Sequence, residues 1–338
     1  MPSRHFLLRC LSLVALLFPA IALSAGPANP VDWAKELATA QAAQSIGNYR
    51  SAYTLYLRRA NSNGLAQFIL GLFHQNGWGR PADPVVACNW FSKAAQNRIP
   101  AAEHSWGDCL AQGIGRPIDI PAALVWYDKA ARHGHLISAC SAADYYIRGQ
   151  GVGQDTDRGL VMCAEVAQAG SPPAMLKLAR YYQEGKWLPQ DLPAARYWYQ
   201  QAAELRSLEA QFKLGVMLAQ GEGGEPNLNA ALFWLETAAS QGYAPAYLPT
   251  AVLYANAPVQ PDTGALAPEH LAKVYVWNAA AKARTDDPAL RAEIDRIDGL
   301  VALIMPAAWR PDLDKKVAEH LAQHPAQPPS PVVAPPQH

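Results

Sequence analysis

The chain has 338 residues, half of them apolar, and carries 28 basic and 28 acidic side chains. A formal charge of zero argues against the basic surface on which nucleic-acid binding depends, so no nucleic-acid partner is expected. The apolar half is enough for an extensive core. Because strand-type alternation is absent, we expect an all-α protein.

The first 25 residues have the pattern of a secretory signal peptide. Arg4 and Arg9 precede an apolar run from residue 11 to residue 23, and the small Ala25 follows. The run is short for a membrane span. We therefore expect cleavage, a periplasmic or secreted protein, and no stable membrane insertion afterwards. An uncleaved N-terminal anchor is the alternative.

Residues 26–64 predict a degenerate helical hairpin. One helix would pass through Trp33 and Leu37, and a second would begin near Gly47. The segment lacks the glycine-rich turn of the units that follow, as expected for an end unit with one uncovered face.

From residue 65 to residue 284 a pattern of 36 residues recurs about six times. Each predicted first helix carries a small residue, which lets two helices pack closely, and each second helix carries bulky residues followed by a small pair. Five regular units start near Ala66, Ala102, Ser138, Ala174 and Ala210. The bulky column contains Trp90, Trp126, Met162, Trp198 and Trp234.

The turns inside the units repeat as well. A glycine column predicts left-handed helix C-termini, and six residues later a second column predicts N-caps for the second helices. The glycines are Gly77, Gly113, Gly149, Gly185 and Gly221. The N-caps are Asp83, Asp119, Asp155, Asp191 and Asn227.

The end of the chain departs from this regularity. A sixth unit starts at Ala246, and an insertion at 258–268 displaces its second-helix Trp277 by seven residues. Residues 285–323 predict C-terminal capping helices with a polar outer face. Residues 324–338 are rich in proline without apolar periodicity, which predicts a disordered tail.

These columns resemble the Sel-1-like repeat (SLR), a relative of the tetratricopeptide repeat. The segment from Ala66 to Ala95 has the pattern Ala-x-x-x-Leu-Gly, Gly-x-Gly, Asp and Ala-x-x-Trp-x-x-x-Ala-Ala. The resemblance implies a right-handed α-solenoid of antiparallel helical hairpins. It also implies a protein-binding adaptor, often in signalling or envelope assembly.

In tetratricopeptide-like stacking the first helices line a concave groove, where a partner would bind. Two polar columns fall on these helices, and we predict a groove formed by His104, Asp108, Gln112, Asp144, Arg148, Arg180 and Glu184. The alternative is a ladder of charges that satisfy one another. Asp144–Arg148 and Arg180–Glu184 would pair along one helix, and Asp144 would face Arg180 across units.

Four cysteines follow the signal segment, namely Cys88, Cys109, Cys140 and Cys163. An even number in an exported protein permits two disulfides. Counted from the repeat starts, Cys88 lies near the start of a second helix and Cys109 near the end of the next first helix, two ends that should meet. Cys140 and Cys163 lie on the two helices of one hairpin, so we favour the pairs Cys88–Cys109 and Cys140–Cys163. Buried free thiols remain the alternative. No Cys-x-x-Cys pair exists, so no metal or cofactor is expected.

Catalytic motifs are absent. The chain has no Ser-x-x-Lys, Lys-Thr-Gly, Gly-x-Ser-x-Gly or His-Glu-x-x-His sequence. We therefore predict an exported, non-enzymatic scaffold that binds a protein or peptide. One alternative is a β-lactam-binding or hydrolytic enzyme, since some cysteine-rich relatives are linked to β-lactams, although their cysteine spacing is lacking here. Another is a scaffold of a polysaccharide secretion machinery, with Trp78 and Trp187 near glycan.

Overall fold

The computed structural model describes residues 33–325, and within this range the chain is all-α. Consecutive helices pack in pairs, which confirms the predicted α-solenoid. The predicted signal peptide, the entry residues up to 32 and the proline-rich segment from 326 onwards lie outside the described residues.

The described chain begins with three helices: α1 (Trp33–Glu36), α2 (Ala38–Ser45) and α3 (Tyr49–Arg59). Five regular hairpins follow, called units 1 to 5. They consist of α4 (Gly64–Asn76) and α5 (Pro84–Gln96), α6 (Pro100–Gln112) and α7 (Ile120–Arg132), α8 (Ile137–Arg148) and α9 (Thr156–Gln168), α10 (Pro172–Glu184) and α11 (Leu192–Glu204), and α12 (Leu208–Gln220) and α13 (Leu228–Ser240).

The C-terminal part is less regular. A sixth hairpin consists of α14 (Tyr247–Ala255) and α15 (Pro268–Lys282), and the insertion forms the long connection between them. The last two helices are α16 (Pro288–Ile304) and α17 (Arg310–Gln323). Val274 and Trp277 of α15 share a buried core with Ile294, Ile297 and Val301 of α16.

In units 1, 2 and 5 a glycine of the first helix faces a large side chain of the second. A Cβ placed on Gly71 would lie 2.3 Å from the Phe91 ring, and one on Gly107 would lie 2.7 Å from the Tyr127 ring. The two backbones therefore approach as closely as glycine allows. In unit 3 the equivalent second-helix residue is Cys163, and the second-helix Gly159 instead faces Ile147 of the first helix.

The large side chains that fill the core of a hairpin belong to the residues that directly follow the repeated tryptophans in the sequence. Phe91, Tyr127, Tyr199 and Leu235 are buried, whereas the tryptophans just before them are half-buried. Neighbouring residues of an α-helix point about 100° apart. The ring that faces the first helix is therefore the neighbour, and the tryptophan lies at the edge of the core.

The turn residues act as predicted. The five C-terminal glycines have left-handed backbones, with φ between 62° and 73°. Each N-cap side chain accepts a hydrogen bond from the backbone N–H three residues later, as Asp83 does from Val86 at 3.0 Å. These bonds satisfy amides that would otherwise have no partner at a helix start.

A second left-handed position ends the second helices and was not singled out in the sequence. Units 2, 3 and 5 have glycine there, at Gly134, Gly170 and Gly242. Units 1 and 4 instead have Arg98 and Arg206, with φ of 57° and 63°. A branched or long side chain rarely adopts this conformation, and it costs free energy.

The close approach at Gly71 gives a stability prediction. We expect Gly71→Ala to lower the free energy of unfolding by about 1–3 kcal/mol, because the new methyl group would displace the Phe91 ring in a packed core. Gly299 of α16 is the matched control, since a Cβ there meets nothing within 4 Å. Gly299→Ala should raise stability by about 0.5–1 kcal/mol through helix propensity. Urea denaturation measures both, and equal effects would contradict the close-packing account.

Candidate partner-binding surface

Polar contacts join consecutive first helices into one surface, here called the first-helix surface and formed by α6, α8, α10 and α12. His104 Nδ1 lies 3.0 Å from Ser138 Oγ, which links α6 to α8. Lys177 Nζ lies 3.9 Å from Asp144, which links α8 to α10. Further along, Arg180 Nη2 donates to Glu209 Oε1 at 2.8 Å, which links α10 to α12.

A hydrogen-bonded histidine pair lies at the α6 end of this surface. The Ser138 hydroxyl lies 3.0 Å from His104 Nδ1 and 2.7 Å from His135 Nδ1, and the two rings are 4.7 Å apart. A hydroxyl has one proton to donate, so at most one imidazole accepts from it and at least one donates to it. Burial lowers the pKa of both histidines, which favours their neutral forms.

The same cluster continues through Asp108. His104 Nε2 lies 3.5 Å from the Asp108 carboxylate, which accepts a hydrogen bond from the Tyr127 hydroxyl at 2.6 Å. Burial and the adjacent Asp108 charge raise the pKa of Tyr127, so this phenol remains a donor. Serine, histidine and aspartate here resemble a hydrolase triad in composition. Ser138 is fully buried, however, so a substrate has no access to its hydroxyl.

The centre of the surface holds incompletely paired charges. Asp144 Oδ1 is buried without a hydrogen bond, although Arg148 Nη2 lies 3.3 Å away and Lys177 Nζ 3.9 Å away. These are ion pairs in a geometry too poor for hydrogen bonding. Lys177 Nζ donates to the Cys140 carbonyl at 3.4 Å. Burial lowers the pKa of Lys177, opposed by Asp144 and reinforced by Arg148 and Arg180.

The structure corrects the predicted charge ladder. The Asp144–Arg148 pair is present, but Arg180 binds Glu209 of the next unit instead of Glu184, and Asp144 faces Lys177 instead of Arg180. Glu209 lies in the first turn of α12, within reach of the long arginine side chain. At Arg180, charge attraction across units therefore replaces the predicted pairing along the helix, whereas Asp144 keeps its partner along α8.

Gln112 and Glu184, the remaining predicted residues, are exposed and make no side-chain hydrogen bond or ion pair with the described residues. Sequence reasoning missed Ser138, His135 and Lys177. Lys177 lies three positions before Arg180 and so on the same helix face, which could have indicated it. The turn residue His135 belongs to no repeated column.

The cysteine pairs that the repeat count favoured lie within disulfide distance. Disulfides join Cys88 to Cys109 and Cys140 to Cys163, with Cα–Cα distances of 5.9 Å and 4.2 Å. The first joins unit 1 to unit 2, and the second joins the two helices of unit 3. Formation of both bonds in the cell stays a prediction.

Trp78, named above as a possible glycan contact, packs against other aromatic side chains of the protein. Trp78 stacks on Tyr49 at 6.2 Å and packs edge-on against Phe73 at 5.4 Å, measured between ring centroids.

Within residues 33–325, no group of three or more His, Cys, Asp or Glu side chains is arranged to hold a metal ion. Over the same range, no helix has the length and apolar character that crossing a bilayer requires.

Comparison with known proteins identifies the family. The Sel1 repeat pattern matches residues 64–98, 100–135, 137–170, 172–207 and 208–243, together more than half of the chain. The protein therefore belongs to the Sel1 repeat family. Proteins of this family mediate protein–protein interactions and are generally non-catalytic.

Two solved structures share the fold. A Sel1 repeat protein from Oxalobacter formigenes is 25% identical, with a TM-score of 0.58, over 74% of this chain and 100% of its own. A protective antigen of uropathogenic Escherichia coli with an SLR fold is 21% identical, with a TM-score of 0.58, over 86% of this chain and 62% of its own. Comparison with curated proteins gave no match.

The first site prediction concerns the disulfide between units 1 and 2. We expect a Cys88→Ala/Cys109→Ala variant to lose about 3 kcal/mol of unfolding free energy, because the bond closes a loop of about 20 residues in the unfolded chain. Guanidinium denaturation measures the loss. Peptide mapping without reductant should show both cross-links, and four titratable thiols in protein purified from an oxidising compartment would contradict the pairing.

The second site prediction is a pH dependence. Below about pH 6.5, the ordinary histidine pKa, the unfolded chain takes up protons that the buried His104 and His135 resist, so the free energy of unfolding should fall as the pH falls. Asp108 opposes and Lys177 reinforces this effect at His104, and Tyr127 and Tyr145 stay neutral.

A His104→Gln/His135→Gln variant should show a smaller fall between pH 7.5 and pH 5 in urea denaturation. Burial also lowers the pKa of His74 and His320, so part of the slope should remain. An identical fall in the parent protein and the variant would contradict the assignment.

Proposed function

We propose that the protein is an exported, non-catalytic scaffold that binds a protein or peptide partner along the first-helix surface, in cell-envelope assembly or signalling. The single observation that carries the proposal is the incomplete pairing of Asp144 and Lys177 at the centre of this surface.

Incomplete pairing of half-buried charges is costly to the isolated protein. Asp144 Oδ1 is attracted by two cations but lacks the hydrogen bonds that a buried acceptor usually makes. Lys177 exchanges much of its hydration for a 3.4 Å hydrogen bond to the Cys140 carbonyl and a 3.9 Å contact to Asp144. A partner that donates to Asp144 or accepts from Lys177 would recover part of this cost on binding. Groups that gain partners only in a complex are typical centres of binding energy.

The surroundings of this pair suit a peptide or a protein segment. Arg148, Arg180 and Asp108 are partly exposed on neighbouring first helices. Gln112 and Glu184 add exposed hydrogen-bonding groups without partners among the described residues. A surface with alternating charges and amides matches the polar groups of a peptide better than a purely apolar ligand.

Two observations support export. The N-terminal 25 residues have the composition of a signal peptide. Two cysteine pairs lie at disulfide distance, and such bonds persist mainly in oxidising compartments.

The decisive experiment compares variants in a cross-linking pull-down from periplasmic extract, read by quantitative mass spectrometry. We expect one protein to be enriched by the parent and lost at least tenfold with Arg180→Glu or Asp144→Asn. The exposed Arg180–Glu209 ion pair contributes about 0–1 kcal/mol, so the fold should persist in the variant.

The matched control is Arg291→Glu on α16. Arg291 forms an ion pair with Asp286 at 3.1 Å, and its side chain is 45% exposed against 52% for Arg180. The control should capture the partner at the parental yield. Equal capture by all variants with unchanged melting temperatures would refute binding at the first-helix surface.

A further inference from the structure

A hollow of about 340 Å³ lies at the junction of units 4 and 5. It lies between the C-terminal ends of α11 and α13 and the start of α12. Its polar walls and single aromatic side chain come from Glu204, Arg206, Gln211, Trp234, Thr237 and Gln241. Its volume is at the lower end of the range of small-molecule sites.

A buried amide in this hollow lacks one hydrogen bond. Gln211 is 2% exposed, and its Nε2 donates to the Ala203 carbonyl at 3.2 Å. Its Oε1 is buried and accepts no hydrogen bond. A buried acceptor of this kind is usually paired, because leaving it unpaired costs free energy.

The other units provide an internal comparison, since equivalent positions recur every 36 residues. In unit 1, Gln67 Oε1 accepts from Asn97 Nδ2 at 3.0 Å. In unit 2, the equivalent Glu103 lies 2.7 Å from His133 Nδ1. Both junctions therefore pair a buried polar group with the residue that follows the second helix.

The remaining units complete the comparison. Units 3 and 4 have apolar residues at both positions, Ala139 with Ala169 and Met175 with Leu205. In unit 5 the partner position is Gln241, whose Nε2 donates to the Thr237 carbonyl at 3.2 Å instead. Among the five regular units, unit 5 thus leaves its buried acceptor without a hydrogen bond, in a residue that lines the hollow.

One left-handed backbone position at the same hollow holds an arginine, where most of the regular units hold a glycine. Arg206 has a φ of 63°, where units 2, 3 and 5 have glycine. Its side chain is exposed and makes no ion pair or hydrogen bond with the described residues. A non-glycine residue in this conformation is unfavourable, and such residues cluster at functional sites.

Trp234 differs from two tryptophans in its column. A lysine ammonium lies 4.6 Å above the Trp90 ring and 3.9 Å above the Trp126 ring. In the described structure no cation lies over Trp234; instead, Phe233 packs edge-on at 5.0 Å between ring centroids. Trp234 therefore offers an aromatic surface that no cation covers.

We propose that this hollow binds a sugar ring. A pyranose has an apolar face of C–H groups, which packs against an indole, and a rim of hydroxyls, which need hydrogen-bond partners. A rotation of the Gln211 amide toward the hollow would let a sugar hydroxyl donate to its Oε1. The Arg206 guanidinium would donate to ring or hydroxyl oxygens, and the Glu204 carboxylate would accept. The polar walls disfavour a purely apolar ligand.

The hollow shares α12 with the first-helix surface, but none of its lining residues belongs to the predicted groove residues, so failure to bind a sugar would leave the proposed protein partner untouched. The test uses the methyl glycosides of glucose, N-acetylglucosamine and glucuronic acid, titrated into the purified protein. Saturation-transfer NMR and tryptophan fluorescence report binding. We expect saturable binding of at least one glycoside.

Two substitutions replace the proposed sugar-binding side chains by residues that other units have at the equivalent positions. Gln211→Met copies Met175 of unit 4, and Arg206→Gly copies Gly242 of unit 5. Each should weaken binding at least fivefold. Arg206→Gly should also melt at a higher temperature, because glycine relieves the left-handed backbone, so weaker binding could not be assigned to unfolding.

Arg98→Gly is the matched control. It removes the same strained arginine from unit 1, where the buried Gln67 acceptor is already paired. It should raise the melting temperature and leave sugar binding unchanged. The proposal is overturned if none of the three glycosides binds saturably, or if Arg98→Gly and Arg206→Gly affect binding equally. Full binding by Gln211→Met would also overturn it.

Discussion

The contact on which the structure depends is the close approach of the two helices of a unit, which in units 1, 2, 3 and 5 rests on a glycine of one helix packed against a large side chain of the other. At Gly107 the Tyr127 ring occupies the space that a Cβ would need, so the separation of the two helices is set by one residue. The capped turns then return the chain in the same direction each time. Because this geometry recurs every 36 residues, the first helices lie side by side, and their outer faces form a continuous surface.

Most features that the sequence predicted are local or strictly periodic. Asp83 caps its helix through a bond only three residues along the chain, and the left-handed glycines follow from backbone sterics alone. The partners of the groove charges were predicted less well, because they depend on how one unit leans against the next. Arg180 reaches a residue 29 positions further on, and Lys177 reaches one 37 positions earlier. Pairing each side chain with the one 36 positions away in the next unit therefore gives the wrong partners. Part of the difference arises because side chains on a helix incline toward its N-terminus.

The junctions between units show that one backbone geometry accepts several solutions to the same packing problem. A buried position at the start of the first helix holds an amide in unit 1, a carboxylate in unit 2 and apolar groups in units 3 and 4. In each of the first two units, the residue after the second helix supplies the matching group. Specific chemistry can therefore be introduced at one junction without disturbing the others. Repeat architecture thus separates the residues that maintain the fold from those available for recognition.

The positions of the cysteines give the solenoid an asymmetric response to mechanical force. All four that follow the N-terminal segment lie in units 1 to 3, and none occurs after Cys163. A bond from unit 1 to unit 2 and another within unit 3 limit how far these units can lengthen when the chain is pulled from its ends. Units 4 and 5 have no covalent restraint. With both bonds formed, a partner or cell structure that pulls on the protein could extend every part of the chain except the segments 88–109 and 140–163, which keep their length.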